Sequence, residues 1–225
     1  MMRIPYTHSG PAASAIAMNK ELTRKLAQAS GIRVAQGGIY PREKVLAGDV
    51  MDRPYVIKPV AEGSSVGVYI IRPQDNRNIA ELIGDQAEIL VEEYIDGKEL
   101  TVAVLDGTSQ GVTEIVSKTD FFDYEAKYKA DTTEYVLPAK IPEDVYAKAL
   151  HDAAKLYEGM GCNGLARCDF RYDPAQGAEG LYLLEINTQP GLTASSIGPS
   201  QVVRNGMSFS KLCSHLVKGA KLHTI

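Results

Sequence analysis

The sequence predicts an α+β fold, and three observations carry that prediction. Apolar spacing switches along the chain between a period near two and a period near 3.6, so strands and helices are mixed. The segments do not follow the regular strand–helix–strand alternation of a parallel α/β sheet. Two late runs, "GLARCDFRY" (164–172) and "GLYLLEIN" (180–187), are joined only by the turn-rich "DPAQGAEG", which makes them antiparallel neighbours.

Taken in order, residues 12–30 suit one helix, with Ile16, Leu22, Leu26 and Ala29 loosely aligned and Gly31 as its stop. "PYVIKPV" (54–60) and "VGVYII" (66–71) are short β-rich runs around the loop "AEGSS", a hairpin-like pair. A short helix over 74–84 precedes strands at "EILVEEYI" and "ELTVAVL", separated by Asp96-Gly97. Residues 117–139 have no clean period and mix charge with aromatics; such a segment inside a compact domain is functional or disordered. Pro142 opens a helix with Val145, Ala149, Ala153, Leu156 and Met160 on one face and Gly161 near its end. A last helix starts at Ser208, its N-cap, and turns Phe209, Leu212, Leu216 and Val217 inward.

A chain of 225 residues builds one large domain or two small ones, and 44% apolar with 23% charged residues is ordinary globular composition. The net charge of −4 argues against a nucleic-acid surface or a basic membrane patch, but leaves local binding of small anions open. Cys162, Cys168 and Cys213 show no CxxC spacing, and their odd number suits a reducing cytosol rather than a disulfide framework. No apolar run reaches the roughly 18 residues of a membrane span. "AASAIAM" lacks the long apolar core of a signal peptide.

The chemistry concentrates on the two late strands. Alternation puts Arg167, Asp169 and Arg171 on one face, with Ala166, Cys168 and Phe170 on the other. In the next strand Glu185 and Asn187 share a face, opposite Tyr182, Leu184 and Ile186. Pairing the strands gathers Asp169, Glu185 and Asn187, hard oxygen donors suited to Mg²⁺ or Mn²⁺ completed by water and phosphate. The same pattern suits a salt-bridged face in which Arg167 and Arg171 neutralise Asp169 and Glu185; both readings stay open.

Upstream, Lys58 ends a strand just before a Gly-Ser turn, where Gly63 and Gly67 admit close backbone approach and Ser64 and Ser65 can cradle phosphate oxygens. A plain hairpin turn has the same composition. "EILVEEYIDGKELTV" reads as a strand crossing between two lobes. Glu92 and Glu99 there can accept from an adenine amino group or ribose hydroxyls beside the apolar Ile95, or can form a solvated edge.

In this order, "IPYTHSG", "AIAMNK", "VIKPVAEGSSVGV", "ILVEEYIDGKELTVAV", "FFDYEAKY", "GLARCDF", "LLEINTQPGLTASS" and "GMSFSKL" resemble the ATP-grasp D-alanine–D-alanine ligases along nearly the whole chain. The resemblance implies a cytoplasmic enzyme that joins two D-alanines through an acylphosphate, with ATP as co-substrate and two Mg²⁺ or Mn²⁺ ions. Residue by residue it implies that Lys20, Lys58 and Lys127 reach the ATP phosphates, that Glu62, Ser64 and Ser65 belong to the ATP site, and that Glu92, Ile95 and Glu99 hold adenine and ribose. Asp169, Glu185 and Asn187 would ligate metal. Arg167 would stabilise the oxyanion, Gly191 and Ser196 would bind the second substrate's carboxylate, and Ser64 and Tyr128 would form a hydrogen-bond relay. Tyr128 favours the dipeptide over D-lactate products.

The implied architecture is two α+β subdomains gripping ATP: a junction remnant over 1–18, a small subdomain over 19–97 and a large one over 98–225 with a lid at 117–139. The family carries a further N-terminal α/β domain that helps position the first D-alanine, and "MMRIPYTHSG" reads as its hand-over point. The matching expectation is a chain that binds Mg-ATP but turns over poorly. A homodimer is implied, with no nucleic acid and no membrane. Two alternatives stand beside this one: another ATP-grasp carboxylate–amine ligase, against which "FFDYEAKY" and "NTQPGLT" argue, and a nucleotide-binding remnant without turnover.

Overall fold

The computed structural model of the chain describes residues 4–63, 66–117 and 133–223. Its strands form two antiparallel sheets. The smaller has the order β1-β4-β2-β3, from β1 (Gly37–Pro41), β2 (Tyr55–Pro59), β3 (Tyr69–Ile71) and β4 (Glu88–Glu93). The larger has the order β7-β6-β5-β8-β9, from β5 (Lys98–Leu105), β6 (Thr108–Ser117), β7 (Thr133–Val136), β8 (Leu165–Tyr172) and β9 (Leu181–Asn187). The expected pairing of β2 with β3 and of β8 with β9 is present, although β3 begins at Tyr69 rather than Val66. β1, β6 and β7 were not legible. β6 is buried at five successive central residues, so it shows no alternation, and "GGIYP" in β1 looks like a turn.

The helix expected over 12–30 is two helices, α1 (Pro11–Met18) and α2 (Lys20–Ala29). Asn19 breaks them: its backbone is extended, and its side-chain oxygen accepts the Leu22 N–H as the N-cap of α2. The break resets the helical phase. α2 therefore buries Lys20, Thr23, Arg24 and Ala27, while Leu22 is exposed. α1 and α2 lie against β9, Ala27 joins the core of the larger sheet, and the first strand of the small sheet begins at Gly37. Its core of Val45, Tyr55, Ile57, Ile71, Ile83, Ile89 and Val91 is closed by α3 (Arg42–Ala47) and α4 (Ile79–Ile83).

One face of the larger sheet is covered by α5 (Glu143–Gly159). Its Val145, Ala149, Ala153 and Leu156 are fully buried as predicted, against Leu100, Val102, Ala166, Cys168 and Phe170. The opposite face is only half covered. α6 (Ile197–Arg204) and α7 (Phe209–Lys218) close its far end over Ala103, Leu105 and Leu165 with Val202, Leu212 and Leu216. Ser208 caps α7 through the Lys211 N–H, but Val217 is 68% exposed, one residue off the inward row of Leu212 and Leu216. Buried Gln201 seals this layer: its Oε1 accepts from the Ala103 N–H (2.7 Å) opposite a bulge in β6, and its Nε2 donates to the Thr101 carbonyl (3.0 Å) and Thr113 Oγ1 (2.9 Å).

The uncovered half of that face carries Glu99, Thr101, Arg167, Asp169, Arg171 and Glu185. It opens toward the linker Tyr94–Gly97 that joins the two sheets. Gly97 sits there at φ +120°, and a Cβ on it would lie 2.1 Å from the Tyr172 carbonyl oxygen. Gly97→Ala should therefore cost at least about 2 kcal/mol of stability, read as a lowered midpoint in denaturant unfolding.

Candidate functional site

A cleft of about 800 Å³, its open mouth included, runs between the two sheets along the linker. Both sheets and α2 line it: Val56, Lys58, Glu92 and Glu93 from the smaller sheet, Glu99, Asp169, Arg171, Leu184 and Glu185 from the larger, Tyr94 and Ile95 from the linker, and Lys20 from α2. Its size and its mix of apolar walls with a few converging charges are those of a small-molecule site. Seven of the sequence-predicted residues meet here: Lys20, Lys58, Glu92, Ile95, Glu99, Asp169 and Glu185.

The β8–β9 ladder sets the charged wall. Asp169 stands directly opposite Glu185, and Arg167 opposite Asn187, so the predicted gathering of polar side chains is present. The ladder slips between Asp169 and Phe170, where a bulge places one extra residue in β9. As a result Leu183 and Ile186 both face the core, and Leu184 lines the cleft beside Glu185 instead of facing away from it. The bulge reverses the expected faces before Glu185: Tyr182, expected on the face away from it, stands opposite Arg171 and packs with Ala35 and Ile95.

The salt-bridged reading holds for Arg167 and Asp169 but not for Arg171 and Glu185. Arg167 donates to Asp169 through Nε (2.8 Å) and Nη2 (2.7 Å), and Thr101 Oγ1 donates to Asp169 Oδ1 (2.6 Å). Burial works against the Arg167 charge, but Asp169, with help from Glu185 and Glu99, more than offsets it and raises the arginine's pKa. Arg171 does not neutralise Glu185. It donates to the Ile95 carbonyl (3.1 Å), lies 3.9 Å from Glu99 and stacks over the Tyr94 ring. Among the described residues Glu185 has no hydrogen bond or ion pair, although it lies in the field of Lys20 and Arg167.

A half-buried carboxylate left without a partner beside a second carboxylate fits a divalent cation. Among the described residues no group of three His, Cys, Asp or Glu could hold a metal alone. The missing donors would come from water and phosphate, the coordination habit of Mg²⁺. The Asn187 oxygen accepts the Gln189 N–H (2.8 Å) and keeps a second lone pair for such an ion.

The opposite wall is cationic. Lys20 and Lys58 are each 7% exposed. The Lys20 ammonium donates to the carbonyl of Glu62, whose side chain is exposed. Its pKa is lowered, chiefly by burial and also by Lys58, against the opposing pull of Glu185, Glu92 and Glu62. The folded chain thus releases this proton before the unfolded chain does. Stability should rise with pH between that depressed value and 10.5, and Lys20→Met should flatten the rise when unfolding is compared from roughly pH 8 to pH 10. Lys58 pairs with Glu92, which Arg24 holds from the other side.

Gly67, at φ +69°, lets the following loop close over Pro59: a Cβ would sit 2.9 Å from the proline ring. Gly63 has open space around it. Gly191 and Ser196 lie together at the start of α6, where a Cβ on Gly191 would be 3.0 Å from Ser196 Oγ and the hydroxyl accepts the Thr193 N–H (3.1 Å). Gly191, Ser196, Arg167 and Asn187 do not line the cleft; Arg167 and Asn187 face each other two residues along the ladder from the Asp169–Glu185 pair. Ser64, Ser65, Lys127 and Tyr128 lie outside the described residues. Sequence reasoning missed Arg24, Tyr94 and Leu184. Only Arg24 left a signal, one turn after Lys20 on the same helix face.

Known proteins resemble this chain in sequence and in fold. The family description "D-ala D-ala ligase C-terminus" matches residues 42–218. A D-alanine–D-alanine ligase of Parvibaculum lavamentivorans is 46% identical over 227 residues, covering 98% of this chain and 73% of the relative. Among solved structures, the VanG D-Ala:D-Ser ligase of Enterococcus faecalis superposes with a TM-score of 0.80 at 29% identity, over 96% of this chain and 65% of that one. A D-alanine–D-alanine ligase of Bacillus anthracis solved with ATP gives 0.76 at 26% identity, over 96% and 70%. The chain thus spans somewhat under three quarters of the relative's length and just under two thirds of the VanG chain. Two antiparallel sheets gripping one cleft, with these sequence matches, establish that the chain belongs to the D-alanine–D-alanine ligase family.

Proposed function

We propose that the chain joins two D-alanines into D-alanyl-D-alanine with conversion of ATP to ADP and phosphate, in the cytoplasm, for peptidoglycan precursors. The observation that carries this reading is the single cleft in which an apolar slot, two buried lysines and the Asp169–Glu185 pair converge between the sheets. Ile95, Val56 and Leu184 form the walls for a base, and Glu92 and Glu99 accept from its amino group and from ribose hydroxyls. Lys20 and Lys58 meet the phosphates as point charges, with the Glu62 carbonyl steadying Lys20.

Asp169, Glu185 and Asn187 are the residues to hold two Mg²⁺ or Mn²⁺ ions. When bound, such ions neutralise phosphate charge during phosphoryl transfer to the first D-alanine carboxylate. Arg167, its charge secured by Asp169, is placed to stabilise the oxyanion that forms when the second amine attacks the acylphosphate. Gly191 and Ser196, at the positive end of α6, suit the second substrate's carboxylate. Ser64, Ser65, Lys127 and Tyr128 keep the roles that resemblance assigns them, in phosphate binding and proton relay. A homodimer also belongs to this reading. Among the described residues no helix is long and apolar enough to cross a membrane.

An acceptor panel tests the assignment. With ATP and D-alanine as the first substrate, the product analysed by mass should be D-Ala-D-Ala in preference to the D-serine or D-lactate products. Preferential use of D-serine, the acceptor in the name of the VanG relative, would overturn it.

A further inference from the structure

Arg24 does not line the cleft, yet it touches the residue there on which base recognition depends. Arg24 is 4% exposed and its guanidinium makes four contacts: Nη1 to Glu92 Oε1, Nη2 to the Ala35 carbonyl (2.9 Å), Nη2 to the Gly37 carbonyl (3.3 Å) and a looser ion pair from Nε to Glu21 Oε2 (3.7 Å). The two carbonyls belong to the segment that leads into β1, and β1 pairs with β4, where Gly37 stands opposite Glu92. Arg24 therefore ties the backbone on one side of Glu92 to the carboxylate itself. Glu92, also 4% exposed, turns its other oxygen, Oε2, toward Lys58, and both side chains line the cleft.

We infer that Arg24 is a positioning residue of the nucleotide site: it holds Oε1 of Glu92 and so presents Oε2 to the exocyclic amino group of the base. The inference rests on the reading of Glu92 as the base acceptor. A carboxylate offers about four lone-pair sites, so Oε2 can accept from Lys58 and from a ligand together. Oε1, taken up by a guanidinium fixed at two further points, cannot turn away. A lysine in place of Arg24 would bring one ammonium and no planar fork to share among three acceptors. The placement on α2 adds a link to the phosphate end, since Lys20 lies one helical turn earlier and lines the same cleft.

The test compares binding of ATP with that of purine riboside triphosphate, which lacks only the amino group. The chain as it stands should favour ATP by about tenfold or more, the scale of a charge-assisted hydrogen bond. Arg24→Met and Glu92→Gln should each bring that ratio close to one, and Arg24→Lys should lower it in part. A merely structural arginine would weaken both nucleotides equally and leave the ratio standing. A ratio kept in Arg24→Met but lost in Glu92→Gln overturns this inference while sparing the reading of Glu92. A ratio kept in both overturns both. Should Arg24→Met fail to fold, an undiminished ratio in Arg24→Lys is the overturning result.

Discussion

Glu185→Gln should keep its fold and lose D-alanine-dependent turnover by roughly three orders of magnitude or more. The substitution is isosteric, and among the described residues the Glu185 carboxylate makes no hydrogen bond or ion pair that would be broken. Unfolding should shift far less than on loss of Asp169, by about 1 kcal/mol, because Lys20 and Arg167 lose only the Glu185 field and no hydrogen bond. Several kcal/mol of charge stabilisation would nonetheless vanish, because a neutral amide cannot replace a carboxylate opposite Asp169 in binding a divalent cation. Denaturant unfolding and phosphate release, measured on the same preparation, check the two halves. A variant that retains turnover within about tenfold would remove Glu185 from the metal site.

Asp169→Ala should behave in the opposite way, with a large loss of stability. Asp169 is 6% exposed and receives both Arg167 nitrogens and the Thr101 hydroxyl. Its removal leaves a guanidinium with only 19% of its side chain exposed and without its main counter-charge, which costs up to about 3–5 kcal/mol. The double variant Asp169→Ala with Arg167→Met should recover much of that loss, since no uncompensated charge remains. Midpoints of chemical unfolding for the three chains decide this. Equal destabilisation in the single and double variants would show that the ion pair is not what Asp169 contributes.

The contrast between these two carboxylates shows how far the sequence could be read. Side-chain alternation along β8 and β9 was enough to bring Asp169, Glu185 and Asn187 to one wall. It could not divide their roles, because Arg167 was equally placed to neutralise either carboxylate until the ladder register was known. Tyr182 and Leu184 were misassigned because a bulge changes the parity of a strand without leaving a mark in composition. The α2 residues were hidden for another reason. A helix whose inward face holds Lys20, Thr23 and Arg24 looks like a surface face in any apolar pattern, and only the Asn19 cap reveals its true phase. β6 was unread because both its faces are buried. By contrast the crossing strand β4, the linker and α5 were legible, since each has a clean period or a clear Gly or Pro boundary.

The most direct test of the account is D-alanine-dependent phosphate release from Mg-ATP by this chain, with the product identified by mass. The expected result is D-Ala-D-Ala and phosphate in equal amounts, even at a low rate, and neither from the Glu185→Gln chain. Bound ATP that yields no dipeptide, or phosphate released without regard to D-alanine, would contradict it.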